Sequence, residues 1–276
     1  ASLYDGDIMT SIDFDPISLK TLFQEIGLYS PKGEFYQQRV RKHAQVFAYI
    51  NQIESALKKL STKRPVVMVD CGCGKSYLSF ILYEYCKTIL NRNVKIIGID
   101  NNPELIDKCN NTAKELKFDQ MHFFASTVGE FQTDCDVDIV YSLHACNTAT
   151  DQMIAQGVAL SARYIFSVSC CQHRNRKNMS QHPLKSISRF QPYKERLVDM
   201  IGDSMRALLL EHLGYGVDIF EFVAAEHTPK NIMLRAIKGA AKKYEIDTAM
   251  TQYKQLVELF NFSPALEELL PLACGL

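Results

Sequence analysis

Two groups of residues in this chain have the types and spacing to do chemistry. The first is Asp70-Cys71-Gly72-Cys73-Gly74-Lys75-Ser76, an acid followed by two glycines at a spacing of two. Glycine at such places lets backbone come close to a ligand where a Cβ would collide with it. Asp100 follows 30 residues after Asp70 at the end of a second apolar run, where an acid would take ribose hydroxyls. The alternative for Asp100 is a helix cap, a role that Asn101 or Asn102 could also fill. The second group is His144, Cys146, Asp151, Cys170, Cys171 and His173, with the basic residues Arg174, Arg176 and Lys177 directly after it.

The glycine loop fits some ligands better than others. A phosphate-binding P-loop needs glycine five residues before Gly74, and Val69 stands there. A dinucleotide fingerprint needs glycine three residues after Gly74, and Tyr77 stands there. Another nucleoside-like ligand and a plain tight turn both remain open on the loop alone.

The elements that position these residues follow from apolar patterning. Val66 to Val69 reads as a buried parallel strand running into the loop, and Leu78 to Leu90 as its covering helix. Val94–Asp100, Met121–Ala125, Val137–Leu143 and Arg163–Ser169 read as four further strands. Helices are expected over Pro103–Leu116, Asp151–Leu160 and Tyr193–Leu213. Val217–Ala224 and Asn231–Ile237 are joined by only six residues, which permits antiparallel neighbours alone. Upstream, Pro16–Leu28 reads as a short helix. Val46, Ile50, Ile53, Leu57 and Leu60 make one helical stripe. The opposite face carries Arg39, Arg41, Lys42, Lys58 and Lys59, either a solvated face or a phosphate-tracking one. Residues 240–276 read as helical, with a break at Ser263-Pro264. The expected fold is α/β: a Rossmann-like, seven-stranded sheet with a terminal antiparallel hairpin and an N-terminal helical extension. The expected divisions are 1–62, 63–239 and a C-terminal helical segment, 240–276.

Composition narrows the class. Of the 276 residues 47% are apolar and 22% charged, and the formal net charge is zero. No global field draws the chain to nucleic acid or membrane, so any basic surface is local. No signal peptide and no run of membrane-span length is seen. Nine cysteines without a Cys-x-x-Cys spacing read as reduced thiols of a cytoplasmic protein. The chain opens on Ala1 rather than methionine, which reads as a trimmed chain or fragment.

In open α/β sheets ligands bind beyond the C-terminal strand ends. The ends of the first two strands would hold a cofactor through Asp70, Cys71, Gly72, Cys73, Gly74, Ser76, Asp100 and Asn101. Ser142 and Leu143 are placed beside it, and Ser126-Thr127 could lie near its base. Three readings of the His/Cys group stand side by side: packing residues at strand ends, an acceptor pocket with His144 or His173 as general base, and a zinc site. Adjacent Cys170 and Cys171 are poorly placed to ligate one ion together, so no metal is assigned.

The glycine loop resembles motif I of the class I S-adenosylmethionine (SAM)-dependent methyltransferases, acidic-x-Gly-x-Gly. Leu143-His144-Ala145-Cys146, Ala149-Thr150-Asp151 and Cys170-Cys171-Gln172-His173-Arg174 resemble signatures of the tRNA acceptor-stem 2′-O-methyltransferase family. They also resemble the methyltransferase-like domain of glutathione-S-transferase C-terminal-domain proteins. The similarity covers roughly Phe35 to Lys238. In those families glycine follows the His-x-Cys, where this chain has Asn147, and the tRNA family's N-terminal zinc modules are absent. The resemblance implies SAM as cofactor, methyl transfer as reaction, and His144, Cys146, Asp151, Cys170, Cys171 and His173 as the group's own signature. The expected acceptor is RNA, its phosphates met by Arg174, Arg176 and Lys177 with Lys185 and Arg189. A protein acceptor, or a SAM-binding module without turnover, are the alternatives.

Overall fold

The structure is a computed structural model that describes residues 22–24, 26, 32, 40–145, 148–169 and 182–271. Seven strands form one sheet in the order β3-β2-β1-β4-β5-β7-β6. They are β1 (Val66–Cys71), β2 (Val94–Asp100), β3 (Met121–Ala125), β4 (Ile139–Ala145), β5 (Tyr164–Ser169), β6 (Tyr215–Glu221) and β7 (Ile232–Lys238). By mutual contact the chain divides into two units, Ala1–Thr127 with Glu221–Asn231, and Val128–Phe220 with Ile232–Leu276.

The first unit carries β1, β2 and β3, all parallel, in the registers Val66↔Val94 and Ile96↔Met121. Every residue of β1 is buried, as expected of a strand covered on both faces. Helix α1 (Val40–Leu57) buries the predicted stripe: Val46, Ile50, Ile53 and Leu57 are at most 1% exposed. Arg41, Lys42, Lys58 and Lys59 are exposed. Helices α2 (Tyr77–Thr88) and α3 (Pro103–Glu115) follow β1 and β2. Of the expected Pro16–Leu28 helix, residues 22–24 are helical and the rest lies largely outside the described residues.

The second unit carries β4 and β5, which are parallel, and β7, which is antiparallel to β5. The register of β4 against β5 shifts between Leu143 and Ala145, so His144 is the extra residue of a bulge. Helix α4 (Thr148–Ala159) starts three residues earlier than expected, inside the polar Thr148-Ala149-Thr150. The loop expected up to Pro192 holds a short helix, α5 (Lys185–Ser188). Pro192 itself lies in the first turn of α6 (Gln191–His212), where its missing N–H costs nothing. Helix α6 packs on α7 (Lys243–Phe260), which ends at Asn261 before the short α8 (Leu266–Leu269). No helix among the described residues is long and apolar enough to cross a membrane.

Candidate active site

The glycine loop is built by β1, β2 and α2, all in the first unit. Gly72 and Gly74 have φ of +70° and +54°, a left-handed backbone that other residues adopt at a cost. A Cβ at either would meet no atom within 4 Å, so the loop faces open space there. Four of the loop's N–H groups, those of Gly72, Cys73, Gly74 and Ser76, are spent inside the protein. Gly72 and Cys73 both donate to the Ile99 carbonyl, at 2.8 and 3.0 Å. Gly74 N–H donates to Asp100 Oδ2 at 2.9 Å. A phosphate cradle needs those donors turned outward, and a carboxylate beside it would repel the anion. The geometry therefore confirms that the Gly74-Lys75-Ser76 sequence only mimics a P-loop.

Asp70 and Asp100 divide the work. Asp70 is buried, accepting from Ser79 Oγ at 2.5 Å and Ser76 Oγ at 3.4 Å. Burial pushes its carboxyl up to about 7, against the lowering effect of the two hydroxyls, and the nearby Asp100 charge adds to the rise. Its role here is to tie β1 to the start of α2. Asp100 is half-exposed, and its Oδ1 accepts from Asn102 N–H at 2.9 Å. It is not the helix cap: Asn102 caps α3, its Oδ1 accepting from Glu104 and Leu105 N–H. Each Asp100 oxygen keeps acceptor capacity for a ligand hydroxyl. Asn101 is exposed and Ser76 and Cys71 are buried. Cys73 and Cys109 both place sulfur against the Gly74 carbonyl, at 4.0 and 3.5 Å. Burial raises both thiols, that of Cys109 to about 12, so neither is a thiolate nucleophile.

In the second unit, Asp151 is 3% exposed and gives both oxygens to Arg206, Oδ1 to Nε at 2.7 Å and Oδ2 to Nη2 at 3.2 Å. Arg206 Nη1 donates to Asp203 Oδ1 at 2.9 Å, which also accepts from Ser169 Oγ at 3.1 Å. Burial raises the Asp203 carboxyl despite the guanidinium beside it. The two carboxylates and the guanidinium between them hold α4 and α6 to the end of β5. Ser142 is buried on β4, paired in register with Ser167, and Leu143 is half-buried. Backbone alone places His144, at the bulge. Cys146, Cys170, Cys171, His173, Arg174, Arg176 and Lys177 lie outside the described residues. Among the described residues no group of three or more His, Cys, Asp or Glu could hold a metal ion. Ser79, Cys109, Asp203 and Arg206 are the site residues not foreseen from sequence, and of the two asparagines considered for the cap, Asn102 takes the role.

A family model described as a methyltransferase domain matches residues 41–178, half of the chain. The chain belongs to this methyltransferase-domain family. The matched stretch runs from α1 through β5 and so includes the glycine loop, Asp100 and the Asp151 helix. The loop suits a SAM cofactor: its glycines leave room, the Gly72, Cys73 and Gly74 N–H groups are turned inward, away from a phosphate, and the half-exposed Asp100 carboxylate suits a cationic ligand. No curated protein sequence matches the chain. Among solved structures it is similar to a SAM-dependent methyltransferase from Aquifex aeolicus, with 15% identity, TM-score 0.41, and 81% of this chain and 97% of that one covered. It is also similar to magnesium protoporphyrin IX methyltransferase from Synechocystis PCC 6803 with bound S-adenosylhomocysteine, with 14% identity, TM-score 0.45, and coverages of 82% and 100%. A dimethyladenosine transferase from Plasmodium falciparum matches at 11% identity, TM-score 0.42, and coverages of 77% and 68%.

Proposed function

We propose that this methyltransferase acts on RNA. The observation that carries the acceptor is a charge pattern: residues 152–194 hold seven Lys or Arg and no Asp or Glu, in a chain of zero formal net charge. That run begins within α4, passes through β5, and extends into the start of α6. A local excess of cations is the electrostatic footprint of a phosphate backbone. The resemblance of His144-x-Cys146, Asp151 and Cys170 to His173 to an RNA-directed group supports the same acceptor.

In this reading Asp100 takes the ribose hydroxyls of SAM, with Gly72 and Gly74 clearing the approach. Cys71, Cys73, Asp70 and Ser76 build the loop from behind, Asn101 flanks it, and Ser142 and Leu143 complete the cofactor set. When bound, SAM supplies an electrophilic methyl group on a sulfonium, whose departure as a thioether needs no metal. The protein's part is alignment and, for a hydroxyl acceptor, removal of a proton. His144 or His173 is assigned that second task, with Cys146, Cys170 and Cys171 shaping the pocket. Asp151 acts through Arg206 as a positioning residue. Arg174, Arg176 and Lys177 contact phosphates.

The test is transfer of labelled methyl from SAM to total RNA and total protein of the host, assayed side by side. Label in the RNA fraction is the expected result. Label confined to protein overturns the acceptor assignment, and label in neither marks a SAM-binding module without turnover.

A further inference from the structure

Helix α6 runs antiparallel to β5, and its two ends fix this. Asp203 accepts from Ser169, the last residue of β5. At the other end, Gly239 N–H donates to the Gly214 carbonyl and Lys238 N–H to the Arg163 carbonyl, which places the C-terminus of α6 beside the start of β5. Residues 191–202 therefore stand beyond the C-terminal end of the strand, where open α/β sheets bind their ligands. At 1.5 Å per residue the projection is about 15 Å.

The first two of these turns, residues 191–197, are not packed into the core. Val198 is the first buried residue of α6, and none is buried in α5. Phe190, Tyr193 and Met200 are 48%, 54% and 66% exposed. Phe190 and Tyr193 meet edge to face with centroids 6.1 Å apart, and the Arg189 guanidinium lies 4.6 Å from the Phe190 ring centre. Tyr193, Arg196 and Met200 share one helix face at spacings of three and seven. Lys185, Arg189 and Arg196 are exposed around these rings. Isolated surface aromatics need no explanation, but two in contact, capped by a guanidinium and set among cations at a ligand-binding edge, do.

We infer that the first turns of α6, together with α5, form a docking platform for single-stranded RNA. The inference rests on the RNA reading above and specifies the form of the acceptor. Aromatic and guanidinium planes stack on splayed bases, while the bases of an A-form duplex are hidden from them. Lys185, Lys194 and Arg196 meet phosphates. An anionic bilayer would also attract cations and aromatics, but it needs a long apolar face. The long apolar face of α6, from Val198 to Leu210, is already buried in the protein.

The experiment uses the full chain and a fluorescent single-stranded RNA of about 16 nucleotides, with polarisation as the readout. Phe190→Ala and Tyr193→Ala are each expected to weaken binding by about 5- to 100-fold. Arg196→Gln is expected to lower the slope of log affinity against log salt by about 0.7. Both rings are surface-exposed, so the melting temperature and the SAM affinity of these variants stay at wild-type values. Unchanged RNA affinity in both aromatic variants, or equal preference for a duplex of the same sequence, overturns the platform. So does an aromatic-dependent binding to phosphatidylserine vesicles with RNA binding unaffected. Failure of the wild type to bind SAM would instead sink the methyltransferase assignment, and the two failures are read in separate measurements.

Discussion

Replacing Arg206 by Met isolates the buried ionic cluster of the second unit. Arg206 is 1% exposed and holds two carboxylates through contacts of 2.7, 2.9 and 3.2 Å. Methionine fills a similar volume but leaves Asp151 and Asp203 buried without a counter-charge. Removing one partner of such a cluster costs about 3–5 kcal/mol, a large part of the roughly 5–15 kcal/mol that stabilises a domain. At about 2–4 °C per kcal/mol the melting temperature should drop by roughly 6–20 °C. Urea unfolding of Arg206→Met at neutral pH measures the loss directly. The informative companion is the triple variant that adds Asp151→Asn and Asp203→Asn. With no charge left to strand, it should recover more than half of the deficit. A single variant that loses less than about 1 kcal/mol, or a triple variant no more stable than the single, would refute the reasoning, because the penalty is assigned to orphaned carboxylates rather than to lost packing.

Asp70 gives a pH signature. Its folded-state carboxyl sits at about 7, above the ordinary 3.8, so the fold holds that proton more tightly than the unfolded chain does. Stability is then fully present below about pH 4 and declines as pH rises to about 7, by up to about 4 kcal/mol. Asp70→Asn should flatten this segment of the urea midpoint-against-pH curve; an unaltered slope would show that another group titrates. Asp100→Ala removes the acceptor for Gly74 and Asn102 N–H together with the assigned ribose contact. SAM affinity by calorimetry should fall at least about 10-fold, with Asp100→Asn intermediate; a change within about twofold would remove Asp100 from the cofactor site.

The strands and the glycine loop were legible because each depends on local pattern. Val66 to Val69 is apolar on both faces, which only a covered parallel strand requires, and the short link between the last two strands dictated an antiparallel pair. Helix starts were less legible. Thr148-Ala149-Thr150 carries no apolar period, and Pro192 reads as a loop residue until its place in the first turn of α6 is seen. The pairing of Asp151 was hidden for a different reason. An acid at a helix start beside a His/Cys motif looks chemical, but its partner Arg206 lies 55 residues away on another helix. A signal for that partner was present: Arg206 sits among Met205, Ala207, Leu209 and Leu210, where an unpaired guanidinium would be intolerable. Sequence shows that such an arginine needs a carboxylate, and only the fold shows which one.

The two acids at strand ends and the two on helices thus serve different purposes. Asp151 and Asp203 are consumed by a buried guanidinium and fix the end of β5 without offering charge to a ligand. Asp70 is consumed by two hydroxyls and held near neutrality by burial. Asp100 alone of the four is half-exposed, and its two hydrogen bonds come from backbone N–H groups that orient it without neutralising it. A carboxylate fixed by neutral donors has no cation competing with a ligand and keeps its remaining lone pairs. It can therefore bond ribose hydroxyls and favour a cationic cofactor at once. This asymmetry, more than the presence of glycines, is what a loop for a sulfonium nucleoside would need and a phosphate loop would not.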